Sequence, residues 1–163
     1  MAHGTQKLIR AITSGLLLLV LGMAKPAAAE PDADNNFLQI IDIGELNQLT
    51  ILQVKPNSSH RANVTVVGGF NGGESAEFRA HPAWFARSRP GLITQSGFRQ
   101  EVTLEVFGKG NLFSITQTGA LNVAQGFISG TGNQAAISQA GKSNHATFRQ
   151  IGTNNHIAIN QSM

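Results

Sequence analysis

The chain contains no cysteine and no tyrosine, a single tryptophan, and only 13% charged residues among its 163. Without cysteine it can have neither a disulfide framework nor a thiolate metal site. It also lacks the motifs of common catalytic classes: no zinc-protease helix, no phosphate-binding loop and no nucleophile elbow. Gly108-Lys109-Gly110 and Gly130-Thr131-Gly132 read as turn glycines, because the third glycine of a dinucleotide fingerprint is missing. From Asn111 onward there is no Asp or Glu, so a solenoid enzyme would have no row of carboxylates there. His145 and His156 lie eleven residues apart, which places them on outward faces of opposite repeats and not on one metal. The expectation is a protein that is not an enzyme and holds no cofactor and no metal.

What is present begins with a leader pattern. Met1 to Ser14 carries Lys7 and Arg10 and no acid, Gly15 to Ala24 is an apolar core, and Ala27-Ala28-Ala29 precedes Glu30. This is the layout of a secretory signal peptide over residues 1–29, with cleavage between Ala29 and Glu30, and its apolar run is too short to span a bilayer. The full chain has 12 Lys+Arg and 9 Asp+Glu. Lys7, Arg10 and Lys25 leave with the leader, so the remainder carries nine of each sign. The basic balance therefore gives no reason to expect nucleic acid as a partner. A neutral chain has little self-repulsion, which suits one that must assemble.

The strongest signal is an internal repeat. Asn111, Asn133 and Asn155 align at a spacing of 22 residues, as do Ile115, Ile137 and Ile159, and Gln117, Gln139 and Gln161. The period also halves: Asn recurs at 111, 122, 133, 144 and 155, and Gly at 119, 130, 141 and 152. Phe148 and Gln150 occupy the apolar and amide places of the unit that opens at Asn144. Within a unit the fixed residues fall on alternate positions, as in Asn133, Ala135, Ile137, Gln139 and Gly141, and so share one face of a strand. Gln134, Ala136, Ser138 and Ala140 occupy the other face. The reading is all-β: a β-solenoid of about 22-residue coils, two β-arcs per coil, with neighbouring strands ~4.8 Å apart. Inward Asn and Gln are tolerable in such a fold because identical amides stacked one coil apart can satisfy one another. A buried amide without a partner costs about 1–3 kcal/mol.

Upstream the pattern weakens. Gln100-Val102-Leu104-Val106-Gly108 keeps the spacing, while Arg89, Gly91, Ile93, Gln95 and Gly97 keep it more loosely. Asn36-Leu38-Ile40-Asp42-Gly44 and Asn47-Leu49-Ile51-Gln53-Lys55 form a degenerate pair with Asp42 in the place of Gln. The unit Asn122–Gly130 has Gly126 and Ile128 where Ile and Gln belong. The expected organisation is a signal peptide over 1–29, an export and degenerate-repeat segment over 30–57, an irregular insert over 58–88, and a repeat domain over 89–163 that is clear from 111. Within the insert, Asn63 to Phe70 alternates like a strand before Asn71-Gly72-Gly73 breaks it. Its Arg79, Trp84 and Arg87, with the adjacent Arg89, could grip an anionic surface by charge and stacking.

The multi-copy unit Asn-x-Ala-x-Ile-x-Gln-x-Gly, as in Asn133–Gly141, resembles the curlin repeat of curli fibre subunits, clearly over Asn111–Met163. The resemblance implies a bacterial cell-surface subunit, a fimbrium-type amyloid that serves cell adhesion and biofilm matrix. The implied partners are further copies of the chain, other curlin subunits and a dedicated outer-membrane export machinery. The degenerate repeats are more similar to the minor, nucleating curlin than to the major one. The alternative is a monomeric secreted β-solenoid adhesin that binds through the Arg/aromatic insert. The chain stops at Met163 partway through an arc, which favours an open edge and the fibre.

Overall fold

In a computed structural model, residues 7–17, 36–54, 58–73 and 88–163 are described, the first stretch as backbone only. These residues contain strands and no helix. The strands are β1 (Lys7–Leu17), β2 (Phe37–Val54), β3 (Arg61–Gly69), β4 (Leu92–Phe98), β5 (Glu101–Lys109), β6 (Leu112–Ala120), β7 (Val123–Thr131), β8 (Gln134–Lys142), β9 (His145–Thr153) and β10 (His156–Ser162). Two parallel columns meet in the long β2. Its first half pairs β3, followed by β5, β7 and β9, and its second half pairs β4, followed by β6, β8 and β10. The chain is thus a parallel β-solenoid of about five coils, each built from two arcs.

Register follows the 22-residue repeat. Ile115 sits beside Ile137 and Ile137 beside Ile159, and Gln117, Gln139 and Gln161 align in the same column. Alternation sends one set of side chains inward, so β9 reads exposed-buried along its first six residues. The interior is a single apolar cluster running from Leu38 and Ile40 to Ile137 and Phe148, with Ile157 and Ile159 packed on its end. Among the residues whose side chains are described, the first member of this cluster is Leu38.

Each arc closes at a glycine. Gly119 has φ +109°, and a Cβ there would lie 2.0 Å from the Gly141 carbonyl oxygen of the next coil. Both the backbone conformation and the coil spacing therefore demand glycine. Gly126 is small for a different reason, because a Cβ there would sit 2.3 Å from the Phe148 ring and 2.9 Å from Leu104. The missing side chain in the Asn122 unit makes room for the oversized one a coil later.

The structure narrows the irregular stretch between 58 and 88. Arg61–Gly69 is not irregular: it forms β3, in register with β5 from Arg61↔Glu101 to Gly69↔Lys109. The regularity was hidden because Ala62, Val64 and Val66 are all apolar, so no amide marks the period. Forty residues separate Asn71 from Asn111, whereas 22 separate Asn111 from Asn133. The extra length enters between β3 and β4, and residues 74–87, with Arg79, Trp84 and Arg87, lie outside the described residues. The 1–29 leader falls largely outside them as well. Its described part, β1, runs antiparallel along both halves of β2, from Lys7↔Gln53 to Leu17↔Asp42.

Candidate functional site

Three amide ladders run along the solenoid axis, and they make the site. In the first, Gln53 Nε2 donates to Gln95 Oε1 (3.0 Å), Gln95 to Gln117 (3.2 Å), Gln117 to Gln139 (2.9 Å) and Gln139 to Gln161 (2.8 Å). Each of these amides spends its other hydrogen on a backbone carbonyl across the coil, as Gln117 does on Glu101 and Gln161 on His145. Gln53, Gln95, Gln117 and Gln139 are almost fully buried. Buried groups are tolerated when both partners of each bond are present.

The second ladder runs with opposite polarity. Asn71 Nδ2 donates to Asn47 Oδ1 (3.1 Å), Asn111 to Asn71 (3.1 Å), Asn133 to Asn111 (3.2 Å) and Asn155 to Asn133 (3.0 Å). The backbone N–H of each upper Asn donates to the same oxygen at 3.0 Å. The Asn side chain also closes its own corner: Asn155 Nδ2 reaches the Ile151 carbonyl at 3.1 Å and Asn144 Nδ2 the Ala140 carbonyl at 2.8 Å. A side chain that ties the turn to the next coil explains why Asn is the residue locked to the period.

The third ladder mixes residue types. His60 N–H donates to Asn36 Oδ1 (3.0 Å), Gln100 N–H to His60 Nδ1 (3.3 Å), Asn122 N–H to Gln100 Oε1 (3.2 Å), and Asn144 Nδ2 to Asn122 Oδ1 (3.0 Å). His60 is fully buried and its Nε2 lies 3.2 Å from the Val54 carbonyl. Nδ1 accepts and Nε2 donates, so the ring is the neutral Nε2–H tautomer. Burial lowers its pKa below the ordinary 6.5, against a smaller opposing pull from the Val54 hydrogen bond.

At the coil ends the ladders stop unfinished. Among the described residues, three buried side-chain oxygens have no hydrogen-bond partner: Gln53 Oε1, Asn144 Oδ1 and Gln150 Oε1. Gln53 begins the Gln ladder and Asn144 ends the mixed one. Gln150 donates to the Gln134 carbonyl at 3.1 Å, but its register partner is Ile128, which offers its amide nothing. Asp42, 1% exposed, receives Asn47 Nδ2 at 2.9 Å. Asn155 and Gln161 lie on the terminal coil, where Asn155 is exposed and Gln161 half-buried.

The sequence-derived ladder residues are brought together as stated above: Asn111, Asn133 and Asn155 in one row, Asn122 and Asn144 in another, and Gln117, Gln139 and Gln161 in a third. Gly119 abuts Gly141, and Gly130 abuts Gly152. Asn71 and His60 escaped the sequence reading. Asn71 was legible locally, since it follows Gly68 by three residues as Asn111 follows Gly108 and Asn133 follows Gly130. His60 had no such marker.

On the outside, His145, His156 and Arg89 are exposed. Basic groups lie over rings, with Arg99 over Phe98 at 5.0 Å, Lys109 over Phe70 at 5.2 Å and Arg149 over Phe127 at 5.3 Å. These contacts cover surface aromatics and build no pocket.

The curlin associated repeat matches this chain twice, over residues 91–119 and 130–162. No curated protein and no solved structure matches it. The first matched stretch covers β4, β5 and most of β6, and the second runs from the end of β7 to the end of β10. Both stretches carry ladder residues: Gln95, Asn111 and Gln117 lie in the first, and Asn133, Gln139, Asn144, Asn155 and Gln161 in the second. Over these two stretches the chain is similar to the curlin family, whose associated repeat it carries twice.

Proposed function

We propose that the chain is a secreted structural subunit of curli-like extracellular amyloid fibres on a bacterial surface, assembling or nucleating assembly by cross-β stacking of its laddered coils. Cell adhesion and biofilm matrix are the roles such fibres serve. Residues 1–29 act as the signal peptide, cleaved between Ala29 and Glu30, and export uses an outer-membrane machinery that recognises the new N-terminus. The degenerate first coils fit a nucleating subunit better than an abundant one.

The observation that carries this reading is the state of the last coil. β9 and β10 are the edge strands of the two columns, and an unpaired strand edge is a template for another chain. Ile157 and Ile159 pack against the core but remain half-exposed, and no acidic side chain there deters pairing. Another copy would bury them and extend the ladders.

Ile159→Asp tests the reading, because it places a charge where docking must remove water. Seeded elongation should slow by an order of magnitude or stop, while secretion continues and Ile159→Val elongates nearly as the parent does. An Asp variant that elongates at the parent's rate would remove the terminal coil as a docking edge.

A further inference from the structure

The two ends of the solenoid are closed to different degrees. On the last coil Ile157 and Ile159 remain half-exposed. On the first coil the inward Leu38, Ile40, Leu49 and Ile51 are each at most 3% exposed. One side of that coil meets the next coil through β3 and β4, and β1 is the described element on the other. β1 follows the bend of the coil. Its register runs from Lys7↔Gln53 to Thr13↔Asn47, omits Leu46 at the corner, and resumes from Ser14↔Glu45 to Leu17↔Asp42. It therefore occupies the second-column edge from Gln53 to Asn47 and the last part of the first-column edge. Its pairing is antiparallel, whereas the other pairings among the described strands are parallel. β1 contains no Asn or Gln, so it cannot extend an amide row, and Gln53 Oε1 stays buried without a partner. Leaving such an acceptor unpaired costs about 1–3 kcal/mol. β1 thus covers the edge without continuing the repeat.

We propose that residues 7–17 are a removable cap, which closes the β2 edge to a second copy while it is attached and leaves the β9 and β10 edges open. An unprocessed chain then ends a fibre and cannot be extended at its covered edge. This consequence rests on the fibre reading, and the cap itself does not. A second copy would need the backbone groups of β2 that β1 already pairs. The competition favours β1, because its tether to the same chain holds it at an effective concentration on the order of millimolar, far above that of free subunits. The polarity follows from the two ends. An unprocessed chain presents β9 and β10 as free edge strands, so it docks where a fibre end exposes β2. Its own β2 is covered, and growth at that end stops. The opposite fibre end exposes β9 and β10, which accept only a bare β2, so unprocessed chains do not add there. Cleavage between Ala29 and Glu30 takes β1 away and makes the subunit open at both ends.

Two measurements on the full chain test this. Ala11→Pro combined with Ile12→Pro removes two adjacent backbone donors of β1, one of which faces β2 because neighbouring residues of a strand point to opposite sides. Both substitutions lie in the leader, so residues 30–163 are unaltered. In hydrogen exchange on the unassembled chain, the proline pair should speed the edge-facing amides of residues 47–53 about tenfold or more, with the amides of β6 and β7 unchanged. Equal exchange in parent and variant overturns the cap, whatever the fibre does. In the second measurement, fibres of the processed chain elongate while each end is imaged, and full chain is added at about one tenth of the subunit concentration. Growth should slow about tenfold or more at one end and stay within about twofold at the other, and the proline pair should lose the effect. Full chain that leaves both ends growing, or slows both alike, overturns the one-ended block. A processed chain that forms no fibre overturns the fibre reading and the block with it, while exchange still decides the cap.

Discussion

The N-terminal and C-terminal coils solve the same packing problem with different chemistry. In the early coils the inward positions of the first column are Leu38, Ile40, Asp42, Ala62, Val64, Val66, Val102, Leu104 and Val106, all buried. In the last coils the equivalent places hold Ala124, Gly126, Ile128, Ala146, Phe148 and Gln150, and the second column narrows to Ala135 and Ile137. Branched aliphatics stabilise by removing area from water, about 0.8 kcal/mol per buried CH₂. Amides contribute about 1 kcal/mol net per hydrogen bond, and only while both partners are present. The ladders run through both ends, but Gln150 brings an amide into the last coil of the first column at the level where Val66, Val106 and Ile128 are apolar.

The comparison can be broken most forcefully in the early coils. Leu104→Ala should destabilise the monomer by about 2–5 kcal/mol, since Leu104 is fully buried between Val64 and Gly126. Denaturant unfolding reads this directly. A loss below 1 kcal/mol would mean that the apolar coils do not carry the fold. Next in size, Gln117→Leu deletes the middle of the Gln ladder, with bonds to Gln95, Gln139 and Glu101. It should cost about 1–3 kcal/mol, against no more than about 0.5 kcal/mol for Ser138→Ala on the opposite face of β8. Equal effects for the two would remove the inward ladder.

The smallest effect is pH-dependent and local to the early coils. His60 must be neutral for Nδ1 to accept from Gln100, and its folded pKa lies below 6.5. The unfolded chain thus binds a proton first as pH falls through 6.5, and stability declines from there toward the folded pKa. Above 6.5 the group contributes no slope. His60→Asn, which places there the residue type found at Asn122 and Asn144, should flatten the slope below pH 6.5. An unchanged slope would assign the pH dependence elsewhere.

Much of this was legible because the amide rows must recur at one height. The spacing of Asn111, Asn133 and Asn155 states the coil length, and alternation states the inward face. What was not legible was hidden where amides are replaced by apolar residues. β3 has no Asn or Gln on its inward face, and the long excursion after Gly73 shifts Asn71 out of phase with Asn111. His60 shares a ladder with Asn122 because a ring nitrogen can accept as an amide oxygen does, an equivalence no spacing reveals. Asp42 was visible as a misfit, while Gln150 stood out only when Ile128 was seen as its register partner.

The central claim is that this solenoid completes itself with copies of itself. Time-resolved binding of an amyloid dye to purified residues 30–163, with and without preformed seeds, followed by fibre diffraction, tests it most directly. The account predicts a lag that seeds abolish and a meridional reflection near ~4.8 Å. A protein that stays monomeric and dye-negative while its strands remain folded would contradict it.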